Sequence, residues 1–257
     1  MRHMTIITVM NNKGGVAKTV TAINTAAYLA TQETTKRVLL IDFDAQANST
    51  GATIGETTNH VGEWLVGEKQ YSEVVVKYME KFDVLPAKRA LDTYAKAIGA
   101  EQDYQFILRE RMEEDGFETM YDYVVIDNAP SLTTLAYTTF IAATHVLIPT
   151  APEEFSISGI TNILQTVANV RKRYNPALKV AGIFFTKYHS SYRSRIDSDM
   201  VAGTREAYGD LVMESTIRNN VSVKEAMAYK LPIFTYASDS AAAQDYRAMV
   251  QELLTRL

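Results

Sequence analysis

Apolar, largely β-branched runs of a strand's length recur along the chain at Ile6–Val9, Val38–Ile41, Val124–Ile126, Val146–Ile148 and Val180–Phe185. Continuous runs of this kind mark strands that are buried on both faces. Between them the apolar positions fall at helical spacing. Ile157, Ile160, Ile163, Leu164, Val167 and Val170 form the clearest core-facing stripe, closed by Arg171-Lys172-Arg173 at the end of the helix where cations are favoured. Strands alternating with helices predict an α/β fold with a mostly parallel, doubly wound sheet flanked by helices. The acid-rich segment from Glu101 to Asp122 reads as an exposed helix and connector without chemistry.

Length and composition fit one domain over 1–257: the 257 residues are 47% hydrophobic, enough to bury a sizeable core. Residues 1–3 read as a remnant ahead of a natural start at Met4. No apolar run approaches the ~20 residues of a membrane span, and the stretch after Met4 is too short for a secretory leader. There is no cysteine, so disulfides and thiolate-held iron–sulfur clusters are excluded.

The strongest chemical signal follows the first apolar run. Asn11-Asn12-Lys13-Gly14-Gly15-Val16-Ala17-Lys18-Thr19-Val20 leads from a strand into a helical pattern. Small residues let backbone N–H groups close around phosphate oxygens, and the helix N-terminus favours the negative charge. Lys18 is placed to reach β- and γ-phosphates, and the Thr19 hydroxyl to bind Mg²⁺. Asn12 and Ala17 stand where the strict phosphate-loop pattern expects glycine. An alanine at position 17 costs about 1–2 kcal/mol if the backbone there is left-handed. Two later strand-like runs end in carboxylates, Asp42 with Asp44 and then Asp127. Each could cap a turn, and in a parallel sheet each could equally meet a nucleotide at the carboxyl ends of the strands.

A lysine directly before Gly14-Gly15, with a second lysine at position 18, resembles the deviant phosphate loop of the ParA/MinD group of P-loop ATPases. Arg37-Val38-Leu39-Leu40-Ile41-Asp42-Phe43-Asp44-Ala45-Gln46 resembles that group's second motif, with Ala45 in place of a proline. Tyr121-Asp122-Tyr123-Val124-Val125-Ile126-Asp127 resembles its Walker B strand. Weaker similarity runs through Ile148–Pro152 and Ile217–Ala226. The resemblance implies ATP and Mg²⁺ as cofactors, bound along Lys13, Gly14, Gly15, Val16, Ala17, Lys18, Thr19 and Val20, with Asn220 near the base. It further implies a sandwich homodimer in which Lys13 reaches the phosphates of the opposite protomer. Thr19 would ligate Mg²⁺, Asp127 would act through a metal-bound water, Asp42 would support the metal from behind, and Asp44 would position the attacking water.

Within that group the chain is most like ParA/Soj partitioning ATPases. These are cytoplasmic proteins that bind DNA without sequence preference when loaded with ATP and are stimulated by a ParB-like adaptor. The alternative is a MinD-like ATPase anchored to a membrane by a C-terminal amphipathic helix. Met249, Val250, Leu253, Leu254 and Leu257 fit a helix packed on the domain at least as well, without a dense basic face. Fifteen scattered tyrosines with no terminal cluster argue against a tyrosine-kinase relative. A net charge of −4 means that any DNA surface is local. Lys187, His189, Arg193 and Arg195 form one acid-free stretch, and Arg218, Lys224 and Lys230 a sparser set. Of these, Arg193, Arg195 and Arg218 are the DNA candidates, with Arg218 standing where chromosomal members commonly have proline.

Overall fold

The computed structural model describes residues 4–32, 36–153, 156–191 and 194–257. Eight strands form one sheet: β1 (Thr5–Val9), β2 (Val38–Phe43), β3 (Val76–Met79), β4 (Phe82–Leu85), β5 (Tyr123–Asn128), β6 (His145–Thr150), β7 (Lys179–Thr186) and β8 (Val212–Ile217). Their spatial order is β3-β4-β2-β5-β1-β6-β7-β8. Every pairing is parallel except that of β3 with β4.

Alternation along the central strands divides the core in two. Ile6 on β1 joins Leu39, Ile41, Val124 and Ile126 on one face, under Trp64, Phe117 and Phe140. Ile7 and Val9 join Leu40, Val125 and Leu147 on the other, under the helices Lys18–Gln32 and Ala241–Leu254. Both faces are therefore dry, which is why these strands read as unbroken apolar runs. The C-terminal helix contributes Met249, Val250 and Leu253, all fully buried in this second core, with Leu254 and Leu257 packed at its edge. No helix among the described residues is long and apolar enough to cross a membrane.

Three departures from the sequence expectation have physical causes. The segment 101–122 is not merely an exposed connector: its helix Ile107–Glu114 buries Leu108 and Met112, and Phe117 stacks on Trp64. Acidic residues on the outer side of that helix mask a narrow apolar stripe. Ile157 is 46% exposed, whereas Ile160, Ile163, Val167 and Val170 are buried as expected. It lies on the first turn of the helix Ser156–Arg173, on the side of the sheet that carries the strands' carboxyl ends. Strands β3, β4 and β8 had no counterpart in the apolar runs. The first two are four residues each and pair as an irregular antiparallel edge, too short for periodicity to register.

Candidate nucleotide site

The loop that leaves β1 is anchored before it turns. Asn11 donates from Nδ2 to the Pro149 carbonyl at 2.7 Å and accepts the Lys13 backbone N–H on Oδ1 at 2.9 Å, tying the loop to β6. The Thr186 hydroxyl at the end of β7 donates to the Val16 and Thr150 carbonyls. Gly15 has φ +75° and Ala17 φ +62°. Gly15 adopts the left-handed region without penalty, but Ala17 carries a Cβ there, so the loop holds about 1–2 kcal/mol of strain. Strain of this size held by surrounding hydrogen bonds is common where backbone is shaped for a ligand. The helix Lys18–Gln32 starts at once, and Thr21 N–H already donates to the Ala17 carbonyl.

Lys18 is nearly buried and curls back so that Nζ donates to the Lys13 carbonyl at 2.8 Å. Burial lowers its pKa, while the carboxylates of Asp127 and Asp44 hold the ammonium charge in place. With Gly14, Gly15, Ala17, Thr19, Asp44 and Gln46 it lines a cleft of ≈ 780 Å³. Lys13, directly before Gly14 and partly exposed, holds Nζ 2.7 Å from Glu153 Oε2 of its own chain. That contact holds Glu153 below the usual carboxylate range.

The three aspartates have distinct roles in the packing. Asp42 and Asp127 are register partners on β2 and β5, both fully buried. Burial raises the pKa of each, and their mutual repulsion adds to it for Asp42. Asp42 spends both oxygens on structure: Oδ1 accepts Asp44 N–H, and Oδ2 accepts the Thr50 N–H and hydroxyl. Asp127 Oδ2 accepts the Ser49 hydroxyl at 2.7 Å, but its buried Oδ1 has no hydrogen-bond partner. The Thr19 hydroxyl is near enough to favour ionised Asp127 without closing a well-formed bond on that oxygen. Asp44 accepts Gln46 N–H on Oδ1 in an Asx-type turn and lines the cleft.

An orphaned buried carboxylate oxygen beside a hydroxyl is a hard-oxygen donor set, and it fits Mg²⁺. Among the described residues no three metal-binding side chains cluster.

A second hollow of ≈ 240 Å³ adjoins the loop from the other side, sharing Gly15 and Ala17 with the first and adding Val20, Ile217, Asn220 and Tyr246. Asn220 caps the helix Val221–Ala228 through Oδ1, which accepts Ser222 N–H at 2.9 Å. This hollow is mostly apolar, the character that a nucleobase needs. Arg218 lies on its wall but is engaged: Nε and Nη2 fork onto the Asp245 carboxylate, the shortest contact being 2.6 Å. Arg195 is exposed on the first turn of the helix Arg195–Tyr208, 3.9 Å from Asp199. Arg193 lies outside the described residues.

Four side chains at this site were not anticipated from sequence as part of it. Ser49 holds Asp127, Gln46 lines the phosphate cleft, and Glu153 pairs with Lys13. Lys187, grouped by sequence with a surface stretch, instead brings Nζ to 3.9 Å from where a Cβ on Gly15 would lie. The usable signal for Lys187 and Glu153 was position: each follows closely on the carboxyl end of a parallel strand.

Comparison with known proteins agrees with this geometry. The profile of a family described as an AAA domain matches residues 4–180. The chain is 34% identical over 249 residues to the chromosome-partitioning ATPase Soj of Treponema pallidum, covering 96% of each. It is 34% identical over 255 residues to the chromosome partitioning protein ParA of Caulobacter vibrioides, covering 98% of this chain and 94% of that one. Among solved structures, the cobyrinic acid a,c-diamide synthase of Mycobacterium smegmatis with bound ATP analogue and magnesium superposes with a TM-score of 0.77 at 29% identity, covering 88% and 91% of the two chains. A phosphate loop opening on paired strand-end aspartates, in a chain this similar to Soj and ParA over its whole length, belongs to the ParA/Soj family of partitioning ATPases.

Proposed function

We propose that this chain is an ATP-dependent DNA-partitioning ATPase whose Mg·ATP complex drives homodimerisation. The observation that carries the reading is that Lys18, Thr19 and Asp44 line one cleft, while Asp127, buried close enough to act on the charge of Lys18, keeps an unpartnered Oδ1. The backbone N–H groups of Gly14 to Val20 and the Lys18 ammonium would hold the phosphates. Thr19 and Asp127 would hold Mg²⁺, which neutralises charge on the β- and γ-phosphates. Asp44 would orient the attacking water, and Asn220 would sit near the base. Lys13 would leave Glu153 and meet the phosphates of the second protomer, a cation of the kind that can contribute roughly 10³–10⁵ in rate.

Binding of DNA without sequence preference, stimulation by a ParB-like adaptor and cytoplasmic residence complete the reading. They are supported by the likeness to Soj and ParA. Against a membrane-anchored alternative stands the burial of the apolar face of the C-terminal helix within the second core. The test is sizing by light scattering with a slowly hydrolysed ATP analogue, ADP or no nucleotide, followed by retention on random duplex DNA and on anionic liposomes. A dimer that forms and retains DNA only with the ATP analogue is expected. A monomer under all three conditions would sink the dimer reading, and liposome retention without DNA retention would replace it with the membrane one.

A further inference from the structure

Beside the phosphate cleft, and sharing Ala47 and Gly51 with it, lies a separate hollow of ≈ 510 Å³ whose wall carries Lys88, Arg89 and Lys230. Three cations face one carboxylate, Glu56, and none of them pairs with it or with any other acid among the described residues. Lys88 donates only to the Thr58 carbonyl. Elsewhere on this acidic chain basic side chains commonly sit against acids, as Arg205 does with Glu214 and Arg256 with Glu252. Three unmatched cations around one concavity are a site waiting for negative charge.

The backbone is shaped for it too. Ala47 and Lys230 both hold left-handed φ values, 53° and 56°, and the Lys230 carbonyl is pinned by the Tyr78 hydroxyl at 2.7 Å. Gly55 has φ +81°, and a side chain there would collide with the Lys230 ammonium group. The remaining wall is small: Ala47, Gly51, Gly55 and Ala87 place no bulky side chain in the hollow, and their backbone N–H groups already donate within the chain, so the cationic side chains are what an anion would meet.

We infer that this hollow binds a small phosphorylated anion carrying two or more negative charges, distinct from the nucleotide in the loop. The volume is that of a small-molecule pocket, and a phosphate group carrying several charges matches three cations better than a single carboxylate does. Its occupancy reaches the nucleotide site through one hydroxyl. Thr50 Oγ1 accepts the Ala87 N–H at 2.9 Å while donating to Asp42 Oδ2 at 2.7 Å, and Asp42 is the register partner of Asp127. A ligand that pulls on Ala87 and its neighbours Lys88 and Arg89 therefore moves the support behind the metal-binding carboxylate.

The test is calorimetric titration of inorganic pyrophosphate into the full chain already saturated with a slowly hydrolysed Mg·ATP analogue, so that the phosphate loop is filled. One further equivalent is expected to bind the wild type. Arg89→Glu combined with Lys230→Glu should weaken it about tenfold or more while leaving affinity for the analogue within about twofold. Arg171→Glu combined with Lys172→Glu, the same charge change at the other end of the sheet, should leave it unaltered. Absence of the extra equivalent, or undiminished binding in the double variant, overturns the inference. If the analogue itself fails to bind, the nucleotide reading falls and pyrophosphate titrated into the unliganded chain reads the hollow directly. There the same loss in the double variant sustains this site, and no loss removes it.

Discussion

The two sides of the phosphate loop treat positive charge in opposite ways. Toward Asp44 and Asp127, Lys18 is buried with only a backbone carbonyl as hydrogen-bond partner, and Lys13 is held by a half-exposed glutamate. Toward β8, Arg218 is clamped by both oxygens of Asp245, which also accepts the Arg218 backbone N–H. On the first side the cation's best partner is still to come, so mutation there should change ligand binding before it changes the fold. On the second the partner is already built in, and mutation should act on the fold first.

The sharpest way to break this contrast is Lys18→Ala. It should weaken binding of a fluorescent ATP analogue by about two to three orders of magnitude, the loss of a buried charge-assisted contact to polyphosphate, with the thermal midpoint nearly unchanged. An affinity within a few-fold of wild type would mean the loop does not hold phosphate. Asp44→Ala comes next: analogue binding should persist, because Lys18, Thr19 and the loop backbone remain, while turnover falls on the order of 10²-fold. Normal turnover would reduce Asp44 to its hydrogen bond with Gln46.

On the β8 side the expected effects are smaller and fall on stability. Asp245→Ala should lower unfolding free energy by ~1–2 kcal/mol in urea titration, since it strands a half-buried guanidinium. The reversal Arg218→Glu would set two carboxylates against each other at the same spot, so a loss of DNA binding in it counts only if Arg218→Lys, which keeps the charge, retains binding. An Asp245→Ala protein as stable as wild type would dissolve the contrast between the two sides.

Acidity gives a subtler reading of the phosphate side. Asp42 and Asp127 have raised pKa values, so the unliganded folded state binds their protons more tightly than the unfolded chain. Their contribution to stability is present at low pH and is lost as pH climbs above the ordinary carboxylate range toward neutrality. The buried histidines His60 and His145, whose pKa values are lowered, slope the other way. The prediction is therefore a difference: thermal midpoints of wild type minus Asp127→Asn should fall between about pH 5 and about pH 8, the range that spans the raised values of about 6 for Asp127 and about 7 for Asp42. A flat difference would put the pair outside the pH response. Smallest of all, Ala17→Gly should stabilise the unliganded protein by at most ~1 kcal/mol, as relief of left-handed strain is partly offset by the added freedom of glycine in the unfolded chain. A net destabilisation would show that the loop is not strained at Ala17.

What the sequence made legible follows from how locally each feature is encoded. The five central strands are buried on both faces, so their apolar runs stood out, and the loop from Lys13 to Val20 is contiguous and carries its own chemistry. Asp42, Asp44 and Asp127 could be placed because parallel strands deliver their carboxyl ends to one edge. The edge strand β3 and its neighbour β4 escaped because four residues are too few for a period to show. Ser49, Glu153 and Lys187 escaped for a different reason: each acts through a partner more than thirty residues away, as Ser49 does with Asp127 at a separation of 78. The engagement of Arg218 is of the same kind, since nothing around position 218 announces Asp245.

The ion pair between Lys13 and Glu153 has a consequence for concentration. One ammonium group cannot hold its own glutamate and a neighbour's nucleotide at once, so in the proposed dimer every cross-protomer contact requires this pair to open first. In that dimer the pair would set a threshold: the more firmly it closed, the more protein would have to accumulate before molecules joined. Weakening it with Glu153→Gln would lower that threshold without touching the nucleotide, and a cell could tune the onset of assembly through abundance alone.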